Sequence, residues 1–376
     1  MSERFYIQLQ PVTPVHIGSG EEKDWIYGLD FIVDGNKAYV IDLKKVAENG
    51  YDINRITACF LNKDVKGVKQ LLGNNLKAVS KRIFLYPQVN TNSNIKAFIR
   101  NQLTDKPVIP GSSLKGAIRS ILFTYLRDNE TSNGDVFGKL KDGEDFMRFI
   151  QVSDIELSKT RLRNTKIFNL HTLNGEWEGG WKHGNYTSEN FNPNGFNTIY
   201  ECVCEDEDNI GVGTISMKAQ LFSMLSQIAT QMPHAAAKNS ILKGGLTTLF
   251  GIINAHTRAY LIKEKKFFEK FEADNSTEIV DCIDYLLEQL DDMSDNQYCM
   301  LKMAAGSGFH SITGDWQHED YTDTGEWARD MNRRDEGKFK AKSRKIAIEG
   351  DMLSLMGFVV LSQASKQDYE QALLSR

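Results

Sequence analysis

Short runs of alternating apolar and polar residues recur along this chain, separated by segments of very unequal length. The first runs from Phe5 to Val12, with Tyr6-Ile7-Gln8-Leu9-Gln10 at its centre. Phe31-Ile32-Val33 and Ala38-Tyr39-Val40-Ile41 flank an Asp34-Gly35-Asn36 turn and read as a hairpin. Residues 151–157 and Ile215 to Leu221 repeat the pattern, and Gly357-Phe358-Val359-Val360-Leu361 reads as a final strand. Period-two alternation predicts half-buried strands. The intervening helical patterns, at Asp42–Asn49, within 52–80, at Leu246–Phe271 and at 276–292, are irregularly spaced. Regular βαβ winding needs even spacing, so the expected class is α+β.

The best-defined helix starts at Ile109-Pro110-Gly111-Ser112-Ser113 and continues through Leu114, Ile118, Ile121, Leu122 and Tyr125. That spacing puts an apolar stripe on one face, and a serine N-cap after Pro-Gly predicts where it begins. Three regions follow from the pattern. Residues 1–160 form an N-terminal part with a helical insertion at about 45–85. Residues 161–200, rich in Asn, Gly, Trp and His with little periodicity, read as a long loop or insertion. Residues 201–376 form a C-terminal part with a helical insertion at about 240–295 and closing strands.

The chain has 376 residues, 45 Lys+Arg against 50 Asp+Glu, and 41% hydrophobic residues. This composition excludes a disordered chain or a small disulfide scaffold. Met1 to Phe5 lack an apolar signal core, and no apolar run approaches membrane-spanning length. The five cysteines are scattered, which fits reduced thiols and a cytoplasmic setting. Cys202 and Cys204 alternate as on a strand with no second pair, so no metal site is expected. The net charge of −5 conceals segregation. Residues 273–295 hold eight acids and no Lys or Arg, so removing them leaves +3 on the rest. Residues 329–345 hold eight basic residues, Arg333, Arg334 and Lys340 among them, with Phe339 interleaved. A basic run with an aromatic residue suits a nucleic-acid backbone, and equally a solvated loop. The acidic stretch would be repelled by RNA, which places it on a distal face or against a basic protein.

Several residues have chemical potential. A helix N-terminus at Gly111, with Ser112 and Ser113 as donors and Lys115 and Arg119 on one face, is suited to an anion. The same residues equally describe an ordinary capped helix. It is not a nucleotide-binding P-loop: Gly111 and Gly116 have the right spacing, but Ala117-Ile118 follow where the Lys and hydroxyl are needed. Gly18-Ser19-Gly20 and Gly306-Ser307-Gly308 can approach a phosphate closely. His16 beside the first and Phe309 beside the second add rings that suit single-stranded RNA. Asp30 with His16 could serve acid–base cleavage of a phosphodiester, although a solvated loop aspartate accounts for Asp30 more simply.

These features together resemble the RAMP superfamily of CRISPR-associated proteins. The matching segments are Thr13-Pro14-Val15-His16-Ile17-Gly18-Ser19-Gly20, Val108 through Arg119, Ala305-Gly306-Ser307-Gly308 and Met356-Gly357-Phe358, in that order. Within the superfamily, the length, Val152-Ser153-Asp154 and the late Gly-Ser-Gly loop look most like the fifth subunit of type III-A (Csm) complexes. The resemblance implies a ferredoxin-like, RRM-type core with large insertions and room for a second, degenerate half. It implies a non-catalytic subunit that caps the filament, binds the 3′ portion of the single-stranded guide RNA (crRNA), contributes to its maturation and serves antiviral defence. The implied partners are crRNA and other Csm-type RAMP backbone subunits, with no membrane, small-molecule substrate, metal or cofactor. Two alternatives stay open: a RAMP ribonuclease using Asp30 and His16, and a related subunit of another type III complex.

Overall fold

The first alternating run forms strand β1 (Glu3–Pro11), with Ile7, Leu9 and Pro11 buried and Tyr6, Gln8 and Gln10 on the opposite, half-covered face. In this computed structural model, residues 3–374 are described except 88–93, 131, 140, 142, 174–175, 207, 229–231, 294 and 307–341. The expected hairpin is β2 (Phe31–Asp34) and β3 (Lys37–Ile41). Three short helices follow: α1 (Leu43–Glu48), α2 (Ile53–Leu61) and α3 (Val65–Leu72). Each begins at an aspartate, Asp42, Asp52 or Asp64, whose carboxylate accepts a backbone N–H of the first turn. β4 (Ser80–Leu85) returns antiparallel to β3. Ile32 packs against Val46, Ile56, Phe60, Val68 and Leu72 to give this insertion its own core.

The short pairings β5 (Ile95–Lys96) and β6 (Val108–Ile109) lead into α4 (Gly111–Leu126) and α5 (Asn133–Phe137). The run at 151–157 divides into β7 (Ile150–Val152) and β8 (Ile155–Glu156), which join different sheets. Next come β9 (Arg161–Leu173), β10 (Glu176–Lys182), β11 (Thr187–Ser188), β12 (Thr198–Cys202) and β13 (Gly211–Met217). Helices α6 (Ala219–Ile228), α7 (Ala235–Lys270) and α8 (Thr277–Asp291) precede β14 (Tyr298–Lys302). The chain ends with β15 (Ser343–Glu349), β16 (Met352–Leu355), β17 (Phe358–Ala364) and α9 (Lys366–Leu374).

The central sheet has the order β14-β17-β1-β13-β7, every neighbouring pair antiparallel. Numbered along the chain, β1, β7, β13 and β17 lie four-one-three-two, with α4 after the first and α6 and α7 after the third. This is the split βαβ connectivity of a ferredoxin-like core in an α+β fold. Ile7, Leu9, Ile215 and Met217 from the sheet bury against Leu114, Ile118, Ile121 and Leu122 of α4 and Leu249, Phe250 and Ile253 of α7. The expected stripe holds except at its end. Tyr125 is 55% exposed, and Phe123 and Leu126 complete the buried face instead.

The second half is organised around one long strand. β9 carries β15 on one edge and β10 and β12 in succession on the other. Phe168, Leu170 and Trp181 pack beneath it on Phe267 and Phe268 of α7 and Ile279, Ile283 and Leu286 of α8. The long loop expected at 161–200 is therefore corrected to a strand-built region. Its alternation is hidden because the interior side chains Asn164, Thr165 and Lys166 are polar. Each is hydrogen-bonded: Asn164 to the Pro193 carbonyl, Thr165 to that of Thr198 and Lys166 to those of Lys182 and Gly195. Helix α7 spans both cores, with a break at Gly245 (φ 62°), where a Cβ would lie 2.9 Å from the Phe5 ring. Among the described residues no helix is long and apolar enough to cross a membrane.

Candidate nucleic-acid interface

Three of the four signature segments meet in space. The Ala305 N–H donates to the His16 carbonyl at 3.0 Å, and the Gly357 N–H to that of Pro14 at 2.9 Å. The Met303 N–H donates to the Gly357 carbonyl at 2.8 Å, and the Phe358 N–H to the Thr13 hydroxyl at 3.0 Å. The first glycine loop is fastened on its other side, where the Ile99 N–H donates to the Ile17 carbonyl and the Ser19 N–H to that of Ala97. Two glycines are needed here on steric grounds. Gly306 has φ 80°, and a Cβ would lie 2.9 Å from that of Met356. Gly357 has φ 95°, and a Cβ would meet the Met303 carbonyl oxygen at 2.3 Å. Gly18 and Gly20 remain at the surface with backbone exposed.

His16 lies inside this junction, 4% exposed. Its Nδ1 is 2.7 Å from the Glu201 carbonyl, and its ring meets Tyr200 and Phe98 edge-on. Burial lowers its proton affinity, with Lys345 adding to the effect. It is a core imidazole, and the expectation of a ring presented to RNA is corrected accordingly. Asp30 accepts the Ile26 N–H at 2.8 Å and stabilises its own turn. No hydrogen bond joins it to His16 among the described residues, so the structure assembles no acid–base pair from them. Beneath the loops, fully buried Glu201 accepts from Arg100, Thr160 and the Phe98 N–H. Lys345, the only basic residue of the 329–345 run at this junction among those described, bonds the Tyr200 hydroxyl and sits 4.3 Å from its ring centroid.

The α4 start is a separate region, and its cap differs from the sequence expectation. The helix begins at Gly111 with Pro110 as N-cap, and neither serine caps it. Instead the Gly111 N–H donates to the Asp154 carboxylate at 2.7 Å. A Cβ at Gly111 would lie 2.2 Å from the Val152 carbonyl oxygen, so glycine lets the helix seat against the 152–154 turn. An internal anion therefore already occupies the first donor. Arg119 is engaged as well, bonding Asp145 at 3.0 and 3.2 Å and lying 4.4 Å from the Phe137 ring centroid. Ser112 is exposed and Ser113 half-buried.

Lys115 faces elsewhere. With Arg148, Gln151 and Lys218 it lines a groove of about 430 Å³ whose apolar lining is Phe149, Leu221 and Leu225. Arg148 is oriented by a 2.7 Å bond to the Gly143 carbonyl. Among the described residues no carboxylate lines the groove. Burial lowers the proton affinity of Lys115, and Arg119 and Lys218 lower it further against the pull of Asp145. Three cations and an amide donor share this groove, with Asp145 near Lys115, a lining chemically suited to an anion. Arg148 and Lys218 were not singled out in the sequence, where each is an isolated cation beside a strand end. Gln151 pairs with Ser216 in the sheet register, so the groove adjoins the half-covered face carrying Tyr6, Gln8 and Gln10. Ser307, Gly308, Phe309, Arg333, Arg334 and Lys340 lie outside the described residues.

No curated relative matches the chain. Its fold is similar along its whole length to a chain of the cryo-EM structure of the Csm–crRNA–target RNA ternary complex of a type III-A CRISPR-Cas system. That match has a TM-score of 0.63 and 17% identity, covering 96% of this chain and 100% of the other. It is also similar to the crystal structure of T. onnurineus Csm5, with a TM-score of 0.59 and 17% identity over 94% of this chain and 99% of that one. The model of the RAMP superfamily matches residues 8–291, from β1 to the end of α8. That span contains the four strands' first three and both helices of the split βαβ core, and on it the chain belongs to the RAMP superfamily.

Proposed function

We propose that this chain is a non-catalytic, RNA-binding subunit of a type III-A (Csm) CRISPR complex. In this reading it caps the filament, binds the 3′ portion of the crRNA beside other Csm-type backbone subunits, and contributes to crRNA maturation and antiviral defence. The observation that carries the reading is the end-to-end fold likeness to a chain of the Csm–crRNA–target RNA complex and to Csm5. The groove of Lys115, Arg148 and Lys218 supports it physically. Guide RNA must be held whatever its sequence, and phosphate contacts from groove cations do that without reading bases. Buried His16 and turn-capping Asp30 offer no support to the ribonuclease alternative.

The test is a Lys115→Ala/Arg148→Ala/Lys218→Ala variant, assembled with guide RNA and Csm-type backbone subunits. The expected result is at least tenfold weaker RNA binding, a salt dependence shallower by about two in log–log slope, and guide RNAs left long at their 3′ ends. Unchanged affinity and unchanged ends in a folded variant would overturn the reading.

A further inference from the structure

A second groove, of about 550 Å³, opens between α8, the β15–β16 hairpin and the Val12-Thr13-Pro14 turn. Its walls carry Glu278 and Asp281 from α8, Glu349 and Asp351 from the hairpin, and Glu205. Arg161 and Arg163 also line it, but the first is bound to Asp206 and the second to Glu349. Glu205, Glu278, Asp281 and Asp351 have no ion-pair partner among the described residues. Burial raises the proton affinity of Glu205, and neighbouring Glu349 adds to it. Among the described residues two buried polar atoms of lining residues have no partner, Glu278 Oε2 and Arg163 Nε, with Arg163 only 9% exposed.

The occupant this groove fits is a polypeptide. RNA would be repelled. A metal ion needs ligands converging on a point, and among the described residues the trio that does so, Asp128, Glu130 and His234, lies outside the groove. Here the carboxylates are spread along the walls. The apolar lining of Pro14, Cys204, Met352 and Leu353 suits an aliphatic stem, and the 43% exposed Tyr285 offers a ring to its charged end. An ammonium or guanidinium would meet the carboxylates of Asp281, Asp351 and Glu205 along the walls. We propose that this groove docks a Lys- or Arg-bearing segment of a protein partner. The proposal is independent of the RNA reading.

The test uses the full chain and a fluorescein-labelled hexa-arginine peptide, read by anisotropy, with hexaglutamate as control. Glu278→Gln/Asp281→Asn/Asp351→Asn should weaken hexa-arginine binding at least tenfold. Glu189→Gln/Glu272→Gln/Asp292→Asn, which removes as much charge from exposed positions outside the groove, should change it less than twofold. Tyr285→Leu, which leaves the charge intact, should weaken it about threefold. RNA binding should be unchanged in all three. Equal losses in the two triple variants, or no binding at millimolar peptide, would overturn the proposal.

Discussion

At the scale of single residues, the junction of the signature loops depends on the absence of a Cβ. Gly357 combines a left-handed φ of 95° with a Met303 carbonyl oxygen 2.3 Å from where a Cβ would stand. The oxygen belongs to the backbone of β14's continuation, so it cannot rotate away. Gly35 also has a positive φ, 57°, but nothing within 4 Å. The two separate steric conflict from conformational preference. Gly357→Ala should cost roughly 3 kcal/mol or more, and Gly35→Ala about 1 kcal/mol. Chemical denaturation of both variants measures this, and comparable losses would show that the close approach is unimportant.

At the scale of elements, α4 shows what its own sequence specifies and what it does not. The stripe of Leu114, Ile118, Ile121 and Leu122 is local and predicted the buried face. The cap is tertiary: Asp154, 43 residues downstream, provides the acceptor for the Gly111 N–H. Asp154→Ala should therefore cost about 1–2 kcal/mol and lower the melting temperature by a few degrees. Asp154→Asn, which keeps an acceptor oxygen, should recover about half of that. A loss no greater than that of Ser112→Ala would return the cap to the serines. The same distinction explains the rest. Aspartate-capped α1 to α3 and the acidic α8 were readable because their signals are local. The β9–β10 hairpin was not, because buried Asn164, Thr165 and Lys166 break the apolar alternation. In the candidate interface, Lys115 was visible beside a helix start, but its partners Arg148 and Lys218 stand at the ends of other elements. Arg119 looked available until Asp145 was brought to it by folding.

At the scale of the whole molecule, buried ionisable groups set how stability follows pH, and opposing signs meet where their windows overlap. Lys166, Lys238 and Lys302 are interior, and burial pulls each from 10.5 down to about 8. Between pH 8 and 10.5 the unfolded chain then holds more protons than the folded one, so stability rises with pH there. His16 and His256, lowered by burial, act the same way below 6.5, where the unfolded chain takes up protons first and acid destabilises the fold. Cys204 is pushed up to about 11, Cys202 and Cys299 lie well above 9, and Tyr260 lies well above 10. For these the unfolded chain loses protons first, so stability falls from about pH 9 upward. The apparent melting temperature should rise through neutrality to a maximum near pH 9 and then decline. Lys302→Met removes one of the three lysines while keeping an aliphatic stem beside the Tyr260 and Phe358 rings. Its melting curve should climb about one third less steeply between pH 7.5 and 9 and fall more steeply than the parent's above pH 9, where one fewer lysine opposes the thiols. A parent curve that is flat or falling between pH 7.5 and 9 would mean that the interior lysines keep their ordinary proton affinity.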